Sequence, residues 1–186
     1  MLYAFILGKN QALSVAEILL VLKRDRFVFV ILSISAKALI IKLDNKIENP
    51  QDFLNKLGGT IKIAQIFTSE NEKDVMGPIL GFAMSNFKEQ KFVFGISSYG
   101  SSFPRLGFEV KKELKKVGVN SRFVMGKEKE LSAPEIKNNK MLSHGADFVL
   151  IRDEKKVFIG NTVAIQDYES YSHRDYDRPR RNAKSG

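Results

Sequence analysis

Residues 27–43 read Phe-Val-Phe-Val-Ile-Leu-Ser-Ile-Ser-Ala-Lys-Ala-Leu-Ile-Ile-Lys-Leu, and this stretch decides the fold of the first part of the chain. Aromatic and β-branched residues fill positions 27–34, which is typical of a strand. A second apolar run occupies positions 38–43. The short spacing between the runs predicts two consecutive strands joined by a turn near residues 33–36.

The residues before this pair predict a strand and a helix. Residues 2–7 form an apolar run that ends at Gly8, as expected for a buried strand. Ser14-Val-Ala-Glu17 has the spacing of a capping box, in which a serine and a glutamate three residues later bond to the first turn of a helix. We therefore expect a helix from Ser14 to about Lys23.

The residues after the pair repeat the pattern of helix and strand. Asn49-Pro50 is an N-cap followed by a proline suited to the first helical position, and Gly58-Gly59 ends that helix. Residues 61–67 predict a fourth strand. The resulting order β-α-β-β-α-β over about 67 residues predicts a ferredoxin-like unit within an α+β chain.

The second half predicts another α/β unit. A polar stretch at 68–73 interrupts the apolar pattern, and Ser132-Ala-Pro-Glu135 forms a second capping box. We expect domains at 1–70 and 71–166, followed by an extended basic segment at 167–186. The elements expected in the second domain are helices at 74–87, 106–117 and 132–142, and strands at 92–97, 122–125, 148–152 and 157–166.

Composition excludes several classes of site. The 186 residues include no cysteine, which removes disulfides, thiol nucleophiles and thiolate zinc sites. The longest apolar run, residues 27–32, is far below the roughly 20 residues of a membrane span. Neither His144 nor His173 has neighbours that suggest a catalytic nucleophile or a metal site. We expect a soluble, cytoplasmic protein without an active site of its own.

Positive charge is concentrated in one segment. The formal net charge is +9, and residues 105–129 hold eight basic residues against three acidic ones. Such clustering favours a polyanionic partner, because each neutralised phosphate releases counterions.

The helix at 106–117 carries half of these basic residues. Lys111 and Lys115, and likewise Lys112 and Lys116, are spaced four residues apart and form two adjacent rows on one helix face. The alternative is an ordinary solvated face, whose repulsion is softened by nearby glutamates. The loop at 95–100 lacks the spacing of a phosphate-binding motif and is explained equally well as a turn from strand to helix.

The last residues interleave arginine and tyrosine with almost no aliphatic side chains. Guanidinium groups suit phosphates, and tyrosine rings suit unpaired bases. A charged linker between domains would have a similar composition. The arginines in question are Arg174, Arg178, Arg180 and Arg181.

Several blocks resemble one family. Tyr3-Ala-Phe-Ile-Leu-Gly8 with Leu13-Ser-Val-Ala-Glu-Ile18 is similar to the N-terminal ferredoxin-like domain of tRNA guanine-N2 methyltransferases of the archaeal and eukaryotic position-ten class. Residues 127–142, with Leu131-Ser-Ala133 and Asn138-Asn-Lys140, resemble the THUMP domain of that family. Residues 159–179 resemble the segment that leads from THUMP to the catalytic domain.

The resemblance implies a function and also a missing part. In that family the THUMP domain holds tRNA, and a following domain binds S-adenosylmethionine and carries an Asp/Asn-Pro-Pro-Tyr/Phe motif. This sequence contains no Pro-Pro-Tyr and no glycine-rich cofactor loop. We therefore expect a tRNA-binding front end that does not methylate by itself and works with a methyltransferase domain in cis or in trans.

The expected RNA-binding residues combine the basic helix, its surroundings and the tail. Backbone amides at the Ser132-capped helix start are a further anion site in this prediction. A stand-alone RNA-binding adaptor for a separate catalytic subunit and a small-molecule regulatory domain remain as alternatives. The residues are Lys111, Lys112, Lys115, Lys116, Arg122, Lys127, Ser132, Lys140, Arg174, Arg178, Arg180 and Arg181.

Overall fold

The computed structural model describes residues 1–86, 91–126, 128–154 and 156–168. Within these residues the chain forms eight strands and six α-helices. In chain order they are β1 (Leu2–Leu7), α1 (Gln11–Arg24), β2 (Phe29–Ile34), β3 (Ala38–Leu43), α2 (Pro50–Leu54), β4 (Thr60–Asn71), a 3-10 turn (Glu72–Asp74), α3 (Met76–Asn86), β5 (Phe92–Tyr99), α4 (Leu106–Lys116), β6 (Ser121–Val124), α5 (Ala133–Asn138), α6 (Met141–His144), β7 (Gly145–Asp153) and β8 (Lys156–Ile165).

All eight strands belong to one sheet with the order β2-β3-β1-β4-β8-β7-β5-β6. Strand β5 is parallel to its neighbours β6 and β7, whereas the other neighbouring pairs are antiparallel. The mixed α/β architecture is therefore confirmed, as is the order β-α-β-β-α-β of the first six elements.

The predicted start of the first helix is wrong. Helix α1 begins at Gln11, and the side chain of Asn10 caps it by accepting a hydrogen bond from the amide of Leu13. Ser14 and Glu17 instead hold the turn before β4. The Ser14 hydroxyl donates to the carbonyl of Gly59 at 2.7 Å, and the Glu17 carboxylate accepts from the amides of Gly58 and Gly59. The two residues of the predicted capping box thus bond to a turn that is distant in sequence.

The expected break in regular structure at 68–73 is also wrong for residues 68–71. Strand β4 continues to Asn71, because residues 156–159 of β8 pair with this polar stretch. The two halves of the chain consequently share one sheet, and β4 and β8 join them. Three further helix bounds differ. Helix α2 ends at Leu54, before the predicted end at Gly58-Gly59, α3 begins at Met76, and Lys140, with a φ of 52°, separates α5 from α6.

The helices of the second half lie on opposite faces of the sheet. Helices α3 and α4 pack on one face, where Phe92, Phe94 and Phe148 are completely buried. Helices α5 and α6 belong to a different apolar cluster, which includes Val93 and Val124. Since alternate residues of a strand point to opposite faces, this separation follows from the register of β5 and β6.

A buried polar network crosses the other face of the sheet, where Lys62 of β4 meets Asp147 of β7. The Lys62 ammonium lies 3.0 Å from the Asp147 carboxylate and donates to the Ser97 hydroxyl at 2.9 Å. The same carboxylate accepts from Ser97 and from Thr162, at 2.7 and 2.6 Å. Both charged side chains are at most 2% exposed.

This network shows that the sheet curls strongly. Strands β8 and β7 lie between β4 and β5. In a flat sheet the backbones of β4, which carries Lys62, and β5, which carries Ser97, would therefore lie about 14 Å apart. Curling brings residues from both halves of the sheet into one buried cluster, including Ile6 of β1 and Tyr99 of β5. Burial, together with the negative charges of Asp147 and Glu130, raises the pKa of Tyr99 well above its ordinary value.

Replacing Lys62 by methionine should destabilise the fold by about 3–5 kcal/mol, because it leaves the Asp147 charge buried without a cation. Adding Asp147→Asn should recover part of the loss, since neither charge is then buried. Urea unfolding measures both effects. The control is Lys42→Met on the exposed face of β3, expected within about 0.5 kcal/mol of the parent. A Lys62→Met protein as stable as that control would contradict the assigned role.

Candidate nucleic-acid interface

Helix α4 presents the predicted lysines to solvent because its apolar residues fall on one stripe. Leu106, Val110 and Leu114 are buried against the sheet, with Gly107 beside them. Lys111, Lys112, Lys115 and Lys116 occupy the remaining surface, and all four are exposed. The predicted amphipathic helix is confirmed, with its end at Lys116.

Three of the four lysines have no acidic partner within the part of the chain that the structure describes. Lys116 is the exception, since its ammonium lies 2.7 Å from the carboxylate of Glu113. Lys111, Lys112 and Lys115 form no ion pair with any described residue. These three lysines are named here the α4 lysine face. Their mutual repulsion at helical spacing would be relieved by a polyanion.

The structure does not bring Arg122 and Lys140 onto the α4 lysine face. In β6, Phe123 points to the face covered by α4 and contacts Phe94, whereas its neighbour Arg122 points to the opposite face. There the Arg122 guanidinium donates to the side chain of Asn139, at the end of α5. Lys140 follows directly and lies on the same side as α5 and α6.

Ser132 begins α5 with the predicted capping box. Its amide and its hydroxyl both donate to one oxygen of the Glu135 carboxylate at 2.7 Å. A carboxylate of the chain itself thus occupies the position that the prediction gave to a phosphate. The role of Ser132 in anion binding stays a prediction.

The remaining predicted residues cannot be placed on this surface. Lys127 lies outside the described residues, as do four arginines of the tail, Arg174, Arg178, Arg180 and Arg181.

Phe108 is a residue of this surface that the sequence reasoning did not select. Its side chain is 56% exposed and lies among the lysines of α4. The sequence does indicate its exposure, because position 108 lies outside the apolar stripe formed by Leu106, Val110 and Leu114. Its ring meets that of Phe123, with centroids 5.3 Å apart and planes nearly perpendicular.

Phe123 also fixes how α4 sits on the sheet. Gly107 faces the Phe123 ring so closely that a β-carbon at position 107 would overlap it. Glycine therefore lets the helix approach β6, and this approach sets the height of the α4 lysine face above the sheet.

No group of three or more metal-ligating side chains comes together within the described ranges. The helices described there are also too short or too polar to cross a membrane. The α4 lysine face needs neither a metal ion nor a membrane, because its positive charge comes from lysine side chains.

No family model and no curated protein matches the chain. Among solved structures, TrmN from Thermus thermophilus has a similar fold, with a TM-score of 0.53 and 10% identity over 88% of this chain and 46% of that chain. A possible methylase from Clostridium difficile 630 gives a TM-score of 0.49 and 12% identity, covering 87% and 40%. A 4-thiouridine synthetase, solved as an RNA complex with bound ATP, gives 0.48 and 12%, covering 86% and 40%. The chain spans less than half the length of each of these proteins.

Gly107→Ala should destabilise the protein by about 1–3 kcal/mol, because the added methyl group overlaps the Phe123 ring. Gly81→Ala is the matched control in α3, where a β-carbon would meet nothing within 4 Å. That change should instead stabilise the helix by up to about 1 kcal/mol. Thermal or urea unfolding compares the two variants, and equal effects would contradict the close approach of α4 to β6.

Proposed function

We propose that this chain is the tRNA-binding part of an S-adenosylmethionine-dependent tRNA (guanine-N2) methyltransferase. The α4 lysine face binds the phosphates of the RNA. The observation that carries the proposal is that Lys111, Lys112 and Lys115 are exposed and form no ion pair with any described residue. The sequence resemblance and the fold shared with TrmN support it.

The proposed division of labour follows the resemblance. Residues 1–70 form a ferredoxin-like domain, residues 71–166 form a THUMP domain that holds the tRNA, and residues 167–186 form a basic linker. A methyltransferase domain acts with them in cis or in trans. That domain supplies S-adenosylmethionine and transfers its methyl group to a guanine. The role of the present chain is to hold the folded RNA.

The α4 lysine face suits this role better than the surface on the other side of the sheet. On that side the Arg122 guanidinium bonds to Asn139, and the amide of Ser132 bonds to Glu135. A phosphate binding there would have to displace bonds within the protein. On α4 a phosphate would break no ion pair between these three lysines and a described residue, and the release of counterions favours binding.

The charge reversal Lys112→Glu with Lys115→Glu should weaken tRNA binding by about ten- to 100-fold at moderate salt, because two phosphate contacts become repulsive. Lys42→Glu with Lys46→Glu, at exposed positions in the first half, makes the same change in net charge. That control should bind within about threefold of the parent. Fluorescence anisotropy with labelled tRNA measures all three proteins, and equal losses in the two double variants would contradict a localised interface.

The salt dependence of tRNA binding gives an independent measure of the number of phosphate contacts. Each phosphate contact contributes about 0.7–0.9 to the slope of log affinity against log salt concentration. Removing two contacts with the Lys112 and Lys115 variant should therefore lower the slope by about 1.4–1.8. Binding titrations at several salt concentrations give this value. A variant with the parental slope would show that neither lysine touches a phosphate.

A further inference from the structure

We propose that Phe108 is a stacking platform for an unpaired nucleobase, at the N-terminal end of the α4 lysine face. This inference rests on the proposed function and extends it from phosphate binding to the recognition of single-stranded RNA. It adds to the interface a residue that contacts bases.

The position of Phe108 is the first observation. Phe92 and Phe94 are completely buried, whereas Phe108 is 56% exposed on a helix whose other apolar side chains already cover the core. Single exposed apolar side chains are common on protein surfaces, so exposure alone decides nothing. Its surroundings are what distinguish this ring.

Basic residues precede and follow Phe108 at helical spacing. Arg105 precedes Phe108 by three residues, Lys111 and Lys112 follow it by three and four, and Lys115 lies two turns further along the same face. All four are exposed, and none forms an ion pair with a described residue. An exposed aromatic ring flanked by basic residues matches the chemistry of single-stranded nucleic acid, in which bases stack on the ring and phosphates contact the cations.

The ring is also held in place from below. Phe123 meets it at 5.3 Å between centroids and 74° between planes, and Phe123 in turn contacts the buried ring of Phe94. The close packing of Phe123 against Gly107 fixes this support. A braced ring loses little rotational freedom when a base stacks on it, which favours binding.

Two hairpin RNAs test the proposal. One carries about six unpaired nucleotides at its end, within the usual site size for single strands, and in the other the same nucleotides are paired. Phe108→Ala should bind the unpaired form about five- to 100-fold more weakly and the paired form within about twofold of the parent. Phe108→Tyr keeps the ring and should bind both forms like the parent. Leu20→Ala, at an exposed apolar position of α1, is the matched control.

A spectroscopic readout reports stacking directly. The chain contains no tryptophan, so Phe108→Trp introduces a single indole at the proposed site. Its fluorescence should be quenched by the unpaired RNA, whereas that of Leu20→Trp should not change. Unquenched Phe108→Trp fluorescence with saturating RNA would overturn the stacking site and assign the ring to another partner, such as a protein surface.

The outcomes separate this proposal from the function on which it rests. If Phe108→Ala binds unpaired RNA like the parent while the Lys112 and Lys115 variant is weakened, stacking is wrong and the phosphate interface stands. If Phe108→Ala weakens both RNAs equally, the ring only positions the helix, and stacking is again wrong. If the parent binds neither hairpin but binds tRNA, only the stacking proposal fails; if it binds neither the hairpins nor tRNA, both proposals fail.

Discussion

The buried ion pair between Lys62 and Asp147 is the constraint on which the curled sheet depends. A charge removed from water is tolerated only when it is paired and its remaining hydrogen-bonding capacity is used. Here the Ser97 hydroxyl accepts from Lys62 and from the amide of Leu131 and donates to Asp147, which leaves none of its bonds unused. Through Ser97 and Asp147 the network links Lys62 of β4 to β5 and β7, in addition to the backbone pairing of β4 with β8 that joins the two halves.

The curvature and the strand register together decide which basic side chains lie on one surface. Phe123 turns toward α4 and supports it, and its neighbour Arg122 consequently faces α5. The charge-rich segment at 105–129 is therefore divided between two faces of the sheet. What remains on α4 is a smaller patch. Its lysines Lys111, Lys112 and Lys115 have no acidic partners among the described residues, and the exposed ring of Phe108 lies one helical turn before them.

Local signals predicted the elements that local chemistry determines. Strand β3 has its predicted bounds, Asn49 caps α2, and Ser132 with Glu135 forms a capping box. Two of the failures involve contacts distant in sequence. Ser14 and Glu17 match a helix start but bond to Gly59 and its neighbour, and the polar end of β4 is a strand only because β8 pairs with it. Nothing in the sequence near Lys62 marks it as buried, since its partner lies 85 residues away.

Lysine acetylation of the free protein and of its tRNA complex, read by mass spectrometry, tests most directly where the RNA lies. Lys111, Lys112 and Lys115 should be strongly protected by tRNA, whereas Lys42 and Lys46 in the first half should react at the same rate with and without it. Lys140 lies on the opposite face of the sheet, beside α5 and α6, and it should also remain reactive in the tRNA complex. Protection of Lys140 with unchanged reactivity on α4 would contradict the account and place the RNA on the other side.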